Sequence, residues 1–84
     1  MYDDYFTFRS LTAAQRAVQS LERAGIPVQL ARTPKQLERM GCGYCVRVQT
    51  SQGQLARWEL ERNQVFYNKI YHRYADGSWG ESAE

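Results

Sequence analysis

The chain has 84 residues, of which 43% are hydrophobic and 24% charged, with a formal net charge of +2. This length supports one modest core, which excludes a deep catalytic cavity and predicts a shallow site. The net charge is too small to indicate nucleic-acid binding, and no apolar run is long enough to span a membrane. The first residues also lack the pattern of a signal peptide, so we expect a cytoplasmic protein with reduced cysteines.

The N-terminal third predicts a strand followed by an amphipathic helix. Apolar and polar side chains alternate around Phe6 and Phe8, which predicts a strand with both rings on its buried face. Apolar residues then recur at helical spacing over residues 13–24. Ser10 or Thr12 is expected to cap the start of this helix.

The rest of the chain predicts three more strands and a second helix. Pro27 lacks a backbone donor, which places the second strand at an edge of the sheet. Ser51 and Gln54 form a capping-box pattern at the start of the second helix. The expected elements are a second strand over residues 26–32, a short turn or helix over 34–40 and a third strand over 44–49. They continue with the second helix over 51–62, a fourth strand over 65–74 and a turn with a frayed tail over 76–84.

The order strand, helix, strand, strand, helix, strand is the split βαβ pattern of the ferredoxin-like fold. We therefore predict an α+β domain over residues 1–75, with two helices on one face of a four-stranded antiparallel sheet. The other face would stay open to solvent or to a partner. Because the first and third strands are neighbours in this topology, Arg9 is expected near Cys45 and Arg32 near Cys42.

Any chemistry is expected in the segment 32–48, which holds both cysteines of the chain, Cys42 and Cys45, at Cys-x-x-Cys spacing. The thiolate is the reactive form of cysteine, and nearby positive charge favours it. Glu38 is the only acid in the segment, whereas its basic residues are Arg32, Lys35, Arg39 and Arg47. Gly43 adds backbone freedom next to Cys42. The local charge therefore predicts reactive thiols.

Other interpretations of this segment fit its pattern less well. A thioredoxin-like dithiol needs a helix start beside its first cysteine, but residues 46–48 predict a strand. Structural zinc needs four ligands, and His72 is the only histidine, so we predict no metal or cofactor. Residues 43–48 echo an RNA-recognition consensus, yet Cys45 and Arg47 stand where that domain stacks aromatic rings. A packing role for Cys45 stays open.

Several motifs spread over most of the chain resemble those of one known family. They are Phe6-Thr7-Phe8-Arg9-Ser10, Ala24-Gly25-Ile26, Arg32-Thr33-Pro34-Lys35, Cys42-Gly43 and Val46-Arg47-Val48. The family consists of short prokaryotic proteins described as selenium/sulfur (Se/S) carrier protein-like. The resemblance implies that Cys42 carries a persulfide or selenopersulfide, and that Arg47 pairs with the thiolate or with a phosphate of the acceptor. Cys45 has no counterpart in the family pattern.

We therefore predict a carrier, more than a stand-alone enzyme, that takes sulfur or selenium on Cys42 from a donor protein and delivers it to an acceptor protein. Cys45 would release the cargo by forming a disulfide with Cys42. The residues expected to support binding are Arg9, Arg32, Lys35, Arg39, Gly43 and Arg47. The alternative is a non-catalytic binding or assembly module that uses the open sheet face, with a homodimer as one form. Neither a membrane nor nucleic acid is expected as a partner.

Overall fold

The computed structural model describes residues 3–38 and 42–81. This part of the chain forms two α-helices and a five-stranded antiparallel sheet of order β2-β3-β1-β4-β5. The strands are β1 (Asp3–Phe8), β2 (Gln29–Arg32), β3 (Tyr44–Gln49), β4 (Ile70–Arg73) and β5 (Trp79–Glu81). The helices are α1 (Leu11–Arg23) and α2 (Gly53–Arg62), the latter preceded by a 3₁₀ turn at Thr50–Gln52.

One face of the sheet carries the main hydrophobic core, as the alternation of β1 and β3 predicts. Phe6 and Phe8 are fully buried, and Phe6 pairs across the sheet with Val46 on one side and Ile70 on the other. The helices contribute mostly small side chains, which let them approach the sheet closely. Their core residues are Ala14, Ala17, Leu21, Ala56 and Leu60. Both helices therefore cover the same face, which confirms the predicted layer arrangement.

The α1 boundary confirms one of the two predicted caps. The Ser10 hydroxyl accepts a hydrogen bond of 3.1 Å from the Ala13 N–H, which places the N-cap at Ser10 and not at Thr12. At α2 the predicted capping box is absent, because the N-cap residue is Gln52 and makes no side-chain capping hydrogen bond. The carboxylate of Asp4 on β1 instead packs against Gly53, the first residue of α2. A tertiary contact thus replaces the predicted local one.

The C-terminal segment differs from the predicted frayed tail. Asp76 accepts hydrogen bonds from the Ser78 N–H and hydroxyl, at 2.9 and 2.6 Å, and Gly77 adopts a φ of +88°. These interactions turn the chain back so that β5 pairs with β4. The Trp79 ring then packs edge-on against Tyr5, with centroids 4.8 Å apart. The partial burial of the Trp79 ring stabilises β5 against the sheet.

The second face of the sheet was predicted to stay open to solvent or to a partner. In the structure this face is partly covered by the chain itself. Leu37, in a turn after β2, packs there against Tyr5, Cys45 and Tyr71. The Leu37 N–H donates a 2.9 Å hydrogen bond to the Pro34 carbonyl, which closes the turn. Residues 39–41, including Arg39, lie outside the described part of the chain. We call the segment 33–38 the cover segment.

Two predicted strands are shorter than expected. β2 begins at Gln29, not Ile26, and β4 begins at Ile70, not Val65. The Val65 N–H donates a hydrogen bond to the Leu60 carbonyl, so Val65 belongs to the turn that ends α2 and not to β4. Neither α-helix in the described ranges combines the length and apolar character that a membrane span requires.

Candidate functional site

The edge of the sheet formed by β2 and β3 brings the predicted site together. Ala31 pairs with Cys45, and Arg32 pairs with Tyr44. Just beyond β2, the Thr33 N–H donates a 3.0 Å hydrogen bond to the Gly43 carbonyl. This bond holds the start of the cover segment against the backbone that follows Cys42.

Both thiols of the site are enclosed. Cys42 has 1% of its surface exposed and Cys45 has none, and both are free cysteines. Cys45 belongs to the cluster on the second sheet face that also holds Tyr5 and Leu37. The predicted shallow site does not hold for this conformation, because both cysteines are buried. A reaction of Cys45 with another protein requires the cover segment to move, since Leu37 packs in the same cluster.

The environment of Cys45 favours the neutral thiol. Its Sγ–H donates to the Arg32 carbonyl, with 3.8 Å between the sulfur and the oxygen. Burial raises the pKa of Cys45, and this effect outweighs the influence of the nearby Thr33 hydroxyl and the charge of Arg47, which lower it. The expectation that basic neighbours ionise the thiols fails at Cys45, because desolvation is the stronger influence.

Thr33 is the site residue that pattern analysis missed as a functional group. Thr33 is 7% exposed, and its hydroxyl is a buried polar group without a hydrogen-bond partner among residues 3–38 and 42–81. Leaving such a group unpaired costs about 1–3 kcal/mol. The hydroxyl lies beside the Cys45 sulfur and lowers its pKa. Thr33 is therefore placed to donate a hydrogen bond once Cys45 loses its proton.

We expect Thr33→Val to raise the pKa of Cys45 further. A hydrogen bond to a charged acceptor contributes about 1.5–3 kcal/mol, which corresponds to about one to two pKa units. The pH dependence of the Cys45 ¹³Cβ chemical shift, in a Cys42→Ser background, measures the change. Thr12→Val is the matched control, since Thr12 is exposed on α1. An identical pKa in the Thr33→Val and control proteins would contradict this role.

Arg47 is the basic residue whose charge acts on Cys45. It lies on the same face of β3, and its guanidinium donates hydrogen bonds to Tyr5 and Gln29. The bond to Tyr5 raises the pKa of Arg47, which keeps the guanidinium charged. Arg47 thus lies beside Cys45, whereas its predicted pairing with the Cys42 thiolate or a phosphate stays a prediction.

Arg32 contributes to the site through its backbone more than through its charge. Its carbonyl accepts from Cys45, whereas its guanidinium lies 5.5 Å from the centre of the Tyr44 ring and donates to the Tyr44 hydroxyl at 3.4 Å. Arg32 thus contacts Cys45 and Tyr44, and its predicted proximity to Cys42 stays a prediction.

The other predicted basic residues are placed differently. Arg9 follows β1 and lines a depression with Phe66 and Tyr67, whereas the β1 residue that pairs with Cys45 is Thr7. The prediction that Arg9 stands close to Cys45 is not supported, because β1 ends before Arg9 and the chain turns toward α1. Lys35 is exposed in the cover segment.

One acid lies near the cysteines, since the Glu38 carboxylate approaches Gly43. Within residues 3–38 and 42–81, no group of three or more His, Cys, Asp or Glu side chains is arranged to hold a metal ion. His72 instead contacts Asp4, with 2.8 Å between Nδ1 and Oδ1, and lies 3.4 Å from the Thr50 hydroxyl. This polar cluster braces β4 against β1 and the start of α2.

Residues 3–72 match the family described as "Putative Se/S carrier protein-like". The chain belongs to this family. The matched stretch contains the segment from Thr33 to Arg47 with both cysteines, whereas β5 lies beyond it. No curated protein and no solved structure matches the chain.

Proposed function

We propose that this member of the Se/S carrier-like family holds sulfur or selenium as a persulfide or selenopersulfide on Cys42. The observation that carries the proposal is the burial of two reduced cysteines at Cys-x-x-Cys spacing, with Leu37 of the cover segment packed in the cluster around Cys45. A persulfide is itself open to attack by any passing thiolate, so an enclosed position would protect the cargo between donor and acceptor.

Loading is a thiol exchange with a donor protein. The Cys42 thiolate attacks the outer sulfur of a persulfide on the donor, a bond forms between that sulfur and Cys42 Sγ, and the donor cysteine leaves as a thiolate. Selenium would transfer in the same way from a selenopersulfide. Because Cys42 is buried, loading needs the chain around it to open locally first.

Release follows by one of two balanced routes. A thiolate of the acceptor can attack the outer sulfur and leave Cys42 as a thiolate. Alternatively, the Cys45 thiolate attacks Cys42 Sγ, which forms a disulfide and expels hydrosulfide, and a cellular dithiol later reduces that disulfide. The raised pKa of Cys45 would suppress the second route while the cargo is carried. Thr33 and Arg47 would support Cys45 as a thiolate when release occurs.

The proposed architecture of the carrier is a ferredoxin-like unit from β1 to β4, within a domain over residues 1–75. Its support is the order β2-β3-β1-β4, which has β1 and β3 as antiparallel neighbours, with β5 added at the β4 edge. Donor and acceptor proteins in the cytoplasm are the proposed partners. Arg32, Lys35, Arg39 and Arg47 would contact them around the cover segment.

The binding-module alternative depends on a free sheet face. Tyr5 and Tyr71 on that face are buried together with Leu37. Rings in this position are not available for docking or for stacking of RNA bases unless the cover segment moves. The arrangement therefore favours the carrier over the alternative.

Mass spectrometry of the intact protein tests the carrier function. Wild type, Cys42→Ser and Cys45→Ser are incubated with a cysteine desulfurase and cysteine, with an established carrier as the positive control. We expect wild type and Cys45→Ser to gain one sulfur mass and Cys42→Ser to gain none. Cys45→Ser is also expected to keep its adduct longer, because it lacks the intramolecular attacking thiol.

Two results would contradict the proposal. Absence of any adduct while the control carrier is loaded would remove sulfur transfer as the function. If Cys42→Ser loads as well as wild type and Cys45→Ser does not load, the residue that carries the sulfur is Cys45 and not Cys42.

A further inference from the structure

A second candidate site lies on the helical side of the sheet, away from the cysteines. The C-terminal half of α1 and the end of α2 enclose a cavity of about 420 Å³. Three arginines line it, Arg16, Arg23 and Arg62, together with a single acid, Glu59. Cys45, by contrast, packs on the opposite face of the sheet.

The charge of this cavity is not neutralised by the protein. Within the described ranges, the Arg16 and Arg23 side chains make no ion pair and no hydrogen bond. They are two turns apart on α1, so they point to the same side of the helix. Only Arg62 is paired, with 3.5 Å between its guanidinium and the Glu59 carboxylate. Two unpaired guanidinium groups therefore face one concave surface.

The floor of the cavity adds neutral hydrogen-bonding groups. The Asn63 amide donates to the Ser20 hydroxyl at 3.0 Å and to the Glu59 carbonyl at 2.8 Å. Since the Ser20 oxygen accepts from Asn63, its own proton is free to be donated. Gln19 lies between the two arginines and lines the same cavity. A ligand with several acceptor oxygens would meet donors on the wall and the floor.

The geometry points to a small phosphate-bearing anion as the ligand of this cavity. The cavity volume lies within the range of small-molecule sites, about 300–1,000 Å³. A guanidinium presents planar paired donors that match the oxygens of phosphate, whereas a thiol or an apolar group would gain nothing here. Val65 supplies an apolar wall against which the non-phosphate part of the ligand could lie.

A titration of ¹⁵N-labelled protein with pyrophosphate, followed by NMR, tests this inference. We expect saturable shifts confined to the amides of residues 16–24 and 59–65. The double variant Arg16→Gln, Arg23→Gln should bind at least about tenfold more weakly, since it loses two charge-assisted contacts. Arg16→Lys keeps the charge but loses the paired donors. Its affinity for pyrophosphate should therefore lie between those of the wild type and the double variant. The double variant Arg9→Gln, Arg73→Gln is the control for net charge, because it also removes two charges and both residues lie outside the cavity.

Three outcomes would overturn the assignment. Shifts that never saturate would show only non-specific attraction. Equal weakening in the Arg9→Gln, Arg73→Gln control would attribute binding to net charge. Saturable binding of a polyglutamate peptide, with none of pyrophosphate, would assign the surface to an acidic protein segment. None of these outcomes affects the loading of Cys42, so failure here is distinguishable from failure of the carrier proposal.

Discussion

Leu37→Ala is expected to speed the alkylation of Cys45 about 30-fold at constant pH. Leu37 is 4% exposed and holds the cover segment against Tyr5, Cys45 and Tyr71. Truncation of a buried leucine costs about 2–5 kcal/mol. If about 2 kcal/mol of this falls on local opening, the open population rises about 30-fold, since 1.4 kcal/mol is a factor of ten.

The alkylation rate of Cys45 by iodoacetamide, in a Cys42→Ser background, measures this effect. The rate follows the open population when opening and closing are fast relative to the reaction. Leu55→Ala is the matched control, because it deletes the same atoms from a residue on α2 that is 47% exposed. The free energy of unfolding in urea is measured for each protein. A rate increase no larger than in Leu55→Ala, or one fully explained by global unfolding, would show that Leu37 does not gate the thiols.

The second large effect is expected at the contact between β1 and the start of α2. Gly53→Ala should destabilise the wild-type protein by about 1–2 kcal/mol, and should stabilise an Asp4→Ala protein by up to about 1 kcal/mol. Gly53 has helical backbone angles, φ −61° and ψ −45°, so alanine suits its conformation. A Cβ at this position, however, would overlap the Asp4 carboxylate.

The change of sign has a defined cause. To accommodate the Cβ, Asp4 must move away from His72 and Thr50, to which its Oδ1 lies at 2.8 and 3.0 Å. Lost hydrogen bonds of partly buried groups cost about 1–3 kcal/mol, which exceeds the gain in helix propensity. In the Asp4→Ala protein that loss has already occurred, so only the propensity gain remains.

Urea unfolding of the two single variants and the double variant gives the coupling free energy between positions 4 and 53. We expect about 1–3 kcal/mol. Asp3→Ala replaces Asp4→Ala in the control cycle, because Asp3 is the adjacent acid and lies on the opposite face of β1. Equal effects of Gly53→Ala in the wild-type and Asp4→Ala backgrounds would refute the contact.

The local sequence pattern alone was sufficient to predict the strands and the helix whose apolar residues recur at a regular spacing. Alternation placed Phe6 and Phe8 of β1, and Val46 and Val48 of β3, in the helix-covered core. Helical spacing located α1 to within a few residues. Short motifs were sufficient for the family, which the match over residues 3–72 confirms. Side-chain periodicity reports which face of an element is apolar, and these elements bury that face against their neighbours.

Tertiary structure decided the properties on which the proposed chemistry depends. The apolar cluster around Cys45 is built from Tyr5, Leu37 and Tyr71, which are far apart in the sequence. No local pattern states that Leu37 covers this face, or that Trp79 extends the sheet to reach it. The pKa of Cys45 follows from that burial and not from the nearby basic residues, because desolvation depends on every element packed around the sulfur. Neighbours in the sequence supply charge, but only the folded chain removes the water that would otherwise solvate a thiolate.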